Sequence, residues 1–174
     1  MALTTQFVKL DIDGTIYCIK DFPDIDPNGE PDQVETTTLC DEFHQYIDGL
    51  KNYADALEFT ANYDENTFLK INNASKQYNP SGDYSVGDYC KHEGITYKCK
   101  SAITGGEAWT SAHWEEIVVK ILLCNSATDT TGANGKFTIN KSEISIRLSG
   151  AGVGDVLESV YVIRPKSAIE YASV

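Results

Sequence analysis

Basic residues are scarce in this chain of 174 residues: 14 Lys and Arg stand against 26 Asp and Glu, a formal net charge of −12. Nonspecific adhesion to nucleic acid relies on Lys and Arg neutralising phosphates and releasing counterions, and this balance argues against it. A wall that repels phosphate stays compatible with the composition. Long apolar runs are also lacking. No stretch approaches the ~20 apolar residues of a membrane span, and residues 1–6 have neither a basic start nor an apolar run, so a chain made and kept in the cytosol, without membrane contact, is expected. The five cysteines, Cys18, Cys40, Cys90, Cys99 and Cys124, are odd in number and scattered, unlike a disulfide framework. Reduced thiols, mostly acting as small buried apolar side chains, are the expectation. Catalytic context is missing as well. His44, His92 and His113 are scattered, no Ser/His/Asp or Cys/His arrangement has a supporting motif, and the acids lie in solvated loops or strands with nothing to raise one pKa. The sequence therefore predicts a protein with no enzymatic activity and no cofactor.

What is present is mostly strand. Val8, Leu10 and Ile12 alternate with Lys9, Asp11 and Asp13; Asp13-Gly14 marks a turn, and Ile16 and Cys18 continue in a second strand. Asp11 and Asp13 alternate away from the apolar face. Residues 21–35 carry Pro23, Pro27, Pro31 and Gly29 among acids, which predicts an extended, solvated loop leading into a strand near Val34. Leu57, Phe59, Ala61 and Tyr63 alternate with Glu58, Thr60 and Asn62 as a half-buried strand does. Asp64 then suits the N-cap of a short helix with Phe68, Leu69 and Ile71 on one face, ending near Asn72-Asn73.

Ile117, Val119, Ile121 and Leu123 predict a strand apolar enough to be central, followed by a polar loop over 125–134. Phe137 and Ile139 hold one alternation phase and Ile144, Ile146 and Leu148 the other, so a turn or bulge must fall around residues 140–143. Ser149-Gly150-Ala151-Gly152-Val153-Gly154-Asp155 is glycine-rich. A phosphate cradle needs a helix N-terminus after the glycines, whereas Val160 to Ile163 read as a last strand stopped by Pro165, so a structural turn is expected. The whole predicts a mainly β fold, a sandwich or barrel with one short flanking helix.

Thr36-Thr37-Thr38-Leu39-Cys40-Asp41, then Tyr46-Ile47-Asp48-Gly49-Leu50-Lys51 and the Leu57-to-Tyr63 strand, resemble the major tail tube proteins of long-tailed bacteriophages of the siphophage type. The helix after Tyr63, the strand pair ending in Ile144 to Leu148, and the glycine-rich loop before Ile163-Arg164-Pro165 follow in the same order as in that family. The resemblance covers residues 1–76 and 117–174. It implies a β-sandwich or barrel protomer that closes into homohexameric rings. Those rings stack into a tube that meets the tape measure, tail terminator and distal tail proteins, and DNA passes through the lumen without specific binding. It places the protein in the virion tail, assembled in the host bacterial cytoplasm. In family terms the 21–35 loop, with Asp21, Asp24, Asp26, Glu30 and Asp32, is an extension that reaches a neighbouring subunit or ring; an ordinary surface loop is the alternative.

Residues 77–116 differ in composition and hold both tryptophans. Tyr84-Ser85-Val86-Gly87-Asp88, Gly94-Ile95-Thr96-Tyr97 and Trp114 resemble the small three-stranded carbohydrate-binding modules of chitinases and cellulases, with Glu93-Gly94 as a hairpin turn and Trp114 as the centre of a very small core. Where such modules place adjacent exposed aromatics, this chain reads Cys99-Lys100-Ser101-Ala102. Trp109, with Tyr89 as partner, is then the remaining platform for a host-surface glycan, against packing or subunit contact. Cys90, His92, Cys99 and His113 match no common zinc spacing, so no metal is expected, and a Cys90–Cys99 disulfide would need an oxidising compartment. The family's helix lies outside the ring, which predicts that the insert decorates the tube exterior. A carbohydrate- or cell-surface-binding protein acting through the insert aromatics is the alternative function.

Overall fold

The computed structural model describes residues 7–21, 23–27, 30–35, 46–52, 56–150 and 152–173. The Thr36-to-Asp41 motif lies outside them. Strand β1 (Val8–Ile12) runs into β2 (Thr15–Cys18) through Asp13 and Gly14, whose φ values of 53° and 79° are those of the tight hairpin turn that the Asp-Gly pair favours. β3 (Glu30–Glu35) and β4 (Tyr46–Asn52) form an antiparallel pair whose register slips between Pro31 and Gln33. A proline has no N–H to give the ladder, which accounts for the irregularity there. β5 (Leu57–Asn62) buries Leu57, Phe59 and Ala61 in strict alternation.

Helix α1 (Glu65–Ala74) starts where expected: the Asp64 carboxylate accepts from the Thr67 N–H at 2.8 Å. Its buried face is Ile71 and Ala74, with Phe68 half-buried, while Leu69 is 52% exposed. The expectation that Leu69 shares that face is corrected by the 100° step between helical neighbours, which turns it to solvent. The helix also runs past Asn73 to Ala74.

After the insert, which holds β6 (Tyr89–His92), β7 (Ile95–Cys99) and β8 (Trp114–Glu116), come β9 (Val119–Leu123), β10 (Lys136–Ile139), β11 (Ser142–Ser149), β12 (Glu158–Pro165) and β13 (Ile169–Ala172). The predicted strand through Ile117 is broken. Ile117 is buried, but β8 belongs to the insert's sheet and the body strand begins at Val119. β9 is central as expected, between β10 and β1, with Ile121 and Leu122 both buried. β13 continues beyond Pro165, where the sequence suggested an end.

The fold is mainly β. A five-stranded sheet in the order β13-β10-β9-β1-β2 and a three-stranded sheet in the order β11-β12-β5 contribute the core residues Leu10, Ile12, Phe59, Ile121, Ile139 and Ile163, each at most 2% exposed. The turn at 140–141 carries the chain from β10 in one sheet to β11 in the other, which is why the alternation phase changes there. No helix among the described residues is long and apolar enough to cross a membrane.

Asp11 and Asp13 are both occupied internally. Asp11 is 7% exposed, accepts from the Gly14 N–H at 2.8 Å and lies 3.7 Å from the Lys120 ammonium. Lys9, beside it on the strand, donates to the Ala127 and Asp129 carbonyls at 2.6 and 2.5 Å.

Candidate functional site

The insert is a three-stranded sheet in the order β6-β7-β8, turned at Glu93-Gly94 with φ values of 48° and 76°. Its small core is Cys90, Cys99, Ile103 and Trp114, with Tyr78, Tyr84, Tyr97 and Trp109 packed around it. Trp114 is 3% exposed, the buried centre that the sequence predicts. A short 3-10 turn, Ser111–His113, aims it inward; Thr110 caps that turn by accepting from the Ala112 N–H at 3.3 Å.

Trp109 is held by four rings. It stacks on His92 at 4.0 Å and on Trp114 at 5.3 Å, and meets the edges of Tyr78 and Tyr97 at 5.1 and 4.9 Å. Tyr89, its expected partner, belongs to the other core: it is 7% exposed among the sandwich residues, and its hydroxyl donates to Asp13 Oδ2 at 2.6 Å. The two residues do not form one exposed platform. The strand pleat is the reason, because Tyr89 and Cys90 are neighbours on β6 and point to opposite faces, one to the sandwich and one to the insert's own core.

Tyr89 instead belongs to a junction between insert and sandwich. Asp13 Oδ2 also lies 2.9 Å from the Lys98 ammonium. That contact raises the Lys98 pKa, and burial followed by the hydrogen bond to Asp13 raises that of Tyr89. Thr96, fully buried, accepts from the Ile144 N–H at 2.9 Å, and ion pairs Lys91–Glu143 at 3.0 Å and Lys141–Glu116 at 2.9 Å flank it. Ile144 lies on β11, an edge strand of its sheet, so the insert covers a backbone edge that would otherwise invite foreign pairing.

The four residues weighed as metal ligands do not converge. Cys90 and Cys99 are buried thiols, that of Cys90 pushed up to about 12 by burial; His92 stacks on Trp109, and His113 sits 2.5 Å from Glu107. Among the described residues, no group of three or more His, Cys, Asp or Glu is placed to hold a metal, and Cys90 and Cys99 are unbridged.

Asp21, Asp24 and Asp26 are exposed in an irregular segment, and Ile25 between them packs against the sandwich core. Glu30 and Asp32 lie in β3. The strand expected near Val34 is there but begins earlier, at Glu30, so only the first part of the expected loop is irregular; among the described residues β3–β4 forms its own two-stranded sheet, paired with neither sheet of the sandwich.

A further surface escaped the sequence reading. The β11–β12 connection is a turn, closed by Asp155, whose N–H donates to the Gly152 carbonyl at 3.1 Å and whose carboxylate accepts from the Gly152 N–H at 2.9 Å. Val153 is fully exposed, and Val156, Leu148 and Leu157 are 66%, 44% and 39% exposed. Tyr63, bonded through its N–H to the Leu157 carbonyl at 3.0 Å, adds its ring at the same end. The signal was in the sequence: two valines and a leucine occupy a glycine-rich turn where polar residues are the norm. Compared with known protein families and with curated proteins, the chain gives no significant match.

Proposed function

We propose that this chain is the subunit of a bacteriophage tail tube, a structural protein whose homohexameric rings stack into a conduit for DNA and which needs no catalytic group. The apolar tip at Leu148, Val153, Val156 and Leu157 is the observation that supports this reading most directly. Several exposed apolar side chains gathered in one connection at the end of a sheet mark a contact surface, and identical subunits provide one another's covering. The β3–β4 pair adds to it: among the described residues it is a separate two-stranded sheet, and a sheet edge is a place where another strand can pair. In the assembled tail the rings meet the tape measure, tail terminator and distal tail proteins. The insert decorates the tube exterior, where it is open to a host-surface glycan. With Asp11 and Asp13 occupied internally, the passage of DNA without adhesion rests on the overall charge of −12 rather than on those two acids.

The experiment is sedimentation of the intact chain and of a Val153→Asp/Val156→Asp variant over a range of concentrations. The expected outcome is ring-sized particles for the intact chain and loss of most of them in the variant, with an unchanged melting temperature because both side chains are exposed. Equal association of the two proteins would contradict the reading.

A further inference from the structure

A cleft of about 420 Å³ lies between the C-terminal half of α1 and the insert, within the size range of small-molecule sites, roughly 300–1,000 Å³. Lys70 and Asn73, three residues apart on the helix, form one wall together with Lys76 and Gln77 just beyond it. Asp83 and Asp88 stand in the segment that supplies the opposite wall, with the half-buried Tyr84 beside them. Trp109 takes no part in it.

The two walls differ in how their polar groups are used. Asp83 accepts the Gly105 N–H at 2.6 Å through Oδ1 and Asp88 accepts the Ser85 N–H at 2.7 Å through Oδ2, which fixes both carboxylates and leaves each a second oxygen. Lys70 lies over the Tyr89 ring, 5.0 Å from its centroid. The side chains of Lys70, Asn73, Lys76 and Gln77 make no hydrogen bond or ion pair among the described residues. One side of the cleft thus offers mainly donors and the other mainly acceptors, and two ammonium groups balance two carboxylates.

We propose that this cleft binds a short neutral saccharide. A hydroxyl both donates and accepts, so a ligand dense in hydroxyls satisfies both walls at once. An apolar ligand would strip these polar groups of water and return nothing. A polyanion would gain Lys70 and Lys76 but be set against Asp83 and Asp88 on a protein that already carries −12. The Tyr84 ring, held in place by stacking on Tyr78 at 5.4 Å, lines the cleft with the apolar surface that remains for the C–H groups of a sugar. The inference stands apart from the tail reading, since it needs only the docking of insert on helix.

The test is a titration of the isotope-labelled full chain, followed by amide resonances, with maltotriose, cellotriose and chitotriose as neutral probes and inorganic triphosphate as the anionic one. Saturable shifts confined to residues 70–77 and 83–90 with at least one neutral trisaccharide are expected. Asn73→Ala with Gln77→Ala should weaken that binding at least tenfold and leave the remaining spectrum unchanged, since both side chains are exposed and unpartnered. The proposal is overturned by silence with all three at about 10 mM, a concentration that detects even millimolar affinity. Shifts centred on Trp109, indifference to the double substitution, or a response to triphosphate alone overturn it equally.

Discussion

Thr96 carries more of the fold than its size suggests. Its hydroxyl is the acceptor for the buried Ile144 N–H, so Thr96→Val keeps the volume and strands a donor. A loss of about 1–3 kcal/mol in urea unfolding is expected; an unchanged midpoint would show that the insert does not hold that edge. Asp129 is one residue through which pH acts. It accepts from the N–H groups of Ala133, Thr131 and Asn125 and from the Thr131 hydroxyl, and these bonds hold its carboxyl well below the usual carboxylate range. A carboxyl depressed in the folded state stabilises above its unfolded pKa of about 3.9 and loses that contribution as pH falls toward the folded value. Asp129→Asn should therefore be less stable than the native chain at pH 7, and the gap should close as pH falls below about 4. A gap that stays constant with pH would argue that the loop is indifferent to this charge.

At the scale of elements, close backbone approach in the insert depends on one glycine. A Cβ at Gly106 would lie 2.5 Å from the Pro80 carbonyl oxygen and 2.8 Å from Ser81 Cα, at φ +73°, whereas one at Gly105, φ +80°, meets open space. Gly105→Ala should cost about 1 kcal/mol of backbone strain. Gly106→Ala should cost clearly more, because both neighbours are backbone and cannot yield; thermal melts of the two variants compare them, and equal losses would refute the close packing. Much at this scale was legible in the sequence. Asp13-Gly14 and Glu93-Gly94 announce their hairpins, Asp64 its helix, and Leu57 to Asn62 its strand, because local chemistry decides those features. β13 was not legible, since Ile169 is its one buried residue and an edge strand with one inward side chain has no period to read. The partnership of Tyr89 with Trp109 failed for another reason. The pleat puts Tyr89 and Cys90 on opposite faces of β6, but that the Tyr89 face meets the sandwich is set by how the insert docks, which no local pattern encodes.

For the whole molecule, charge and shape bear on the same question. The apolar tip at Leu148, Val153, Val156 and Leu157 is a surface that a lone subunit leaves uncovered, and closed rings consume such surfaces while head-to-tail stacking extends them. On the proposed reading, the acidic balance lets DNA pass through such a ring without being held. Negative-stain electron microscopy of the purified chain at rising concentration tests that claim most directly. The account predicts six-fold rings that stack into tubes, with the insert as knobs on the outside; particles that stay monomeric at every concentration would contradict it.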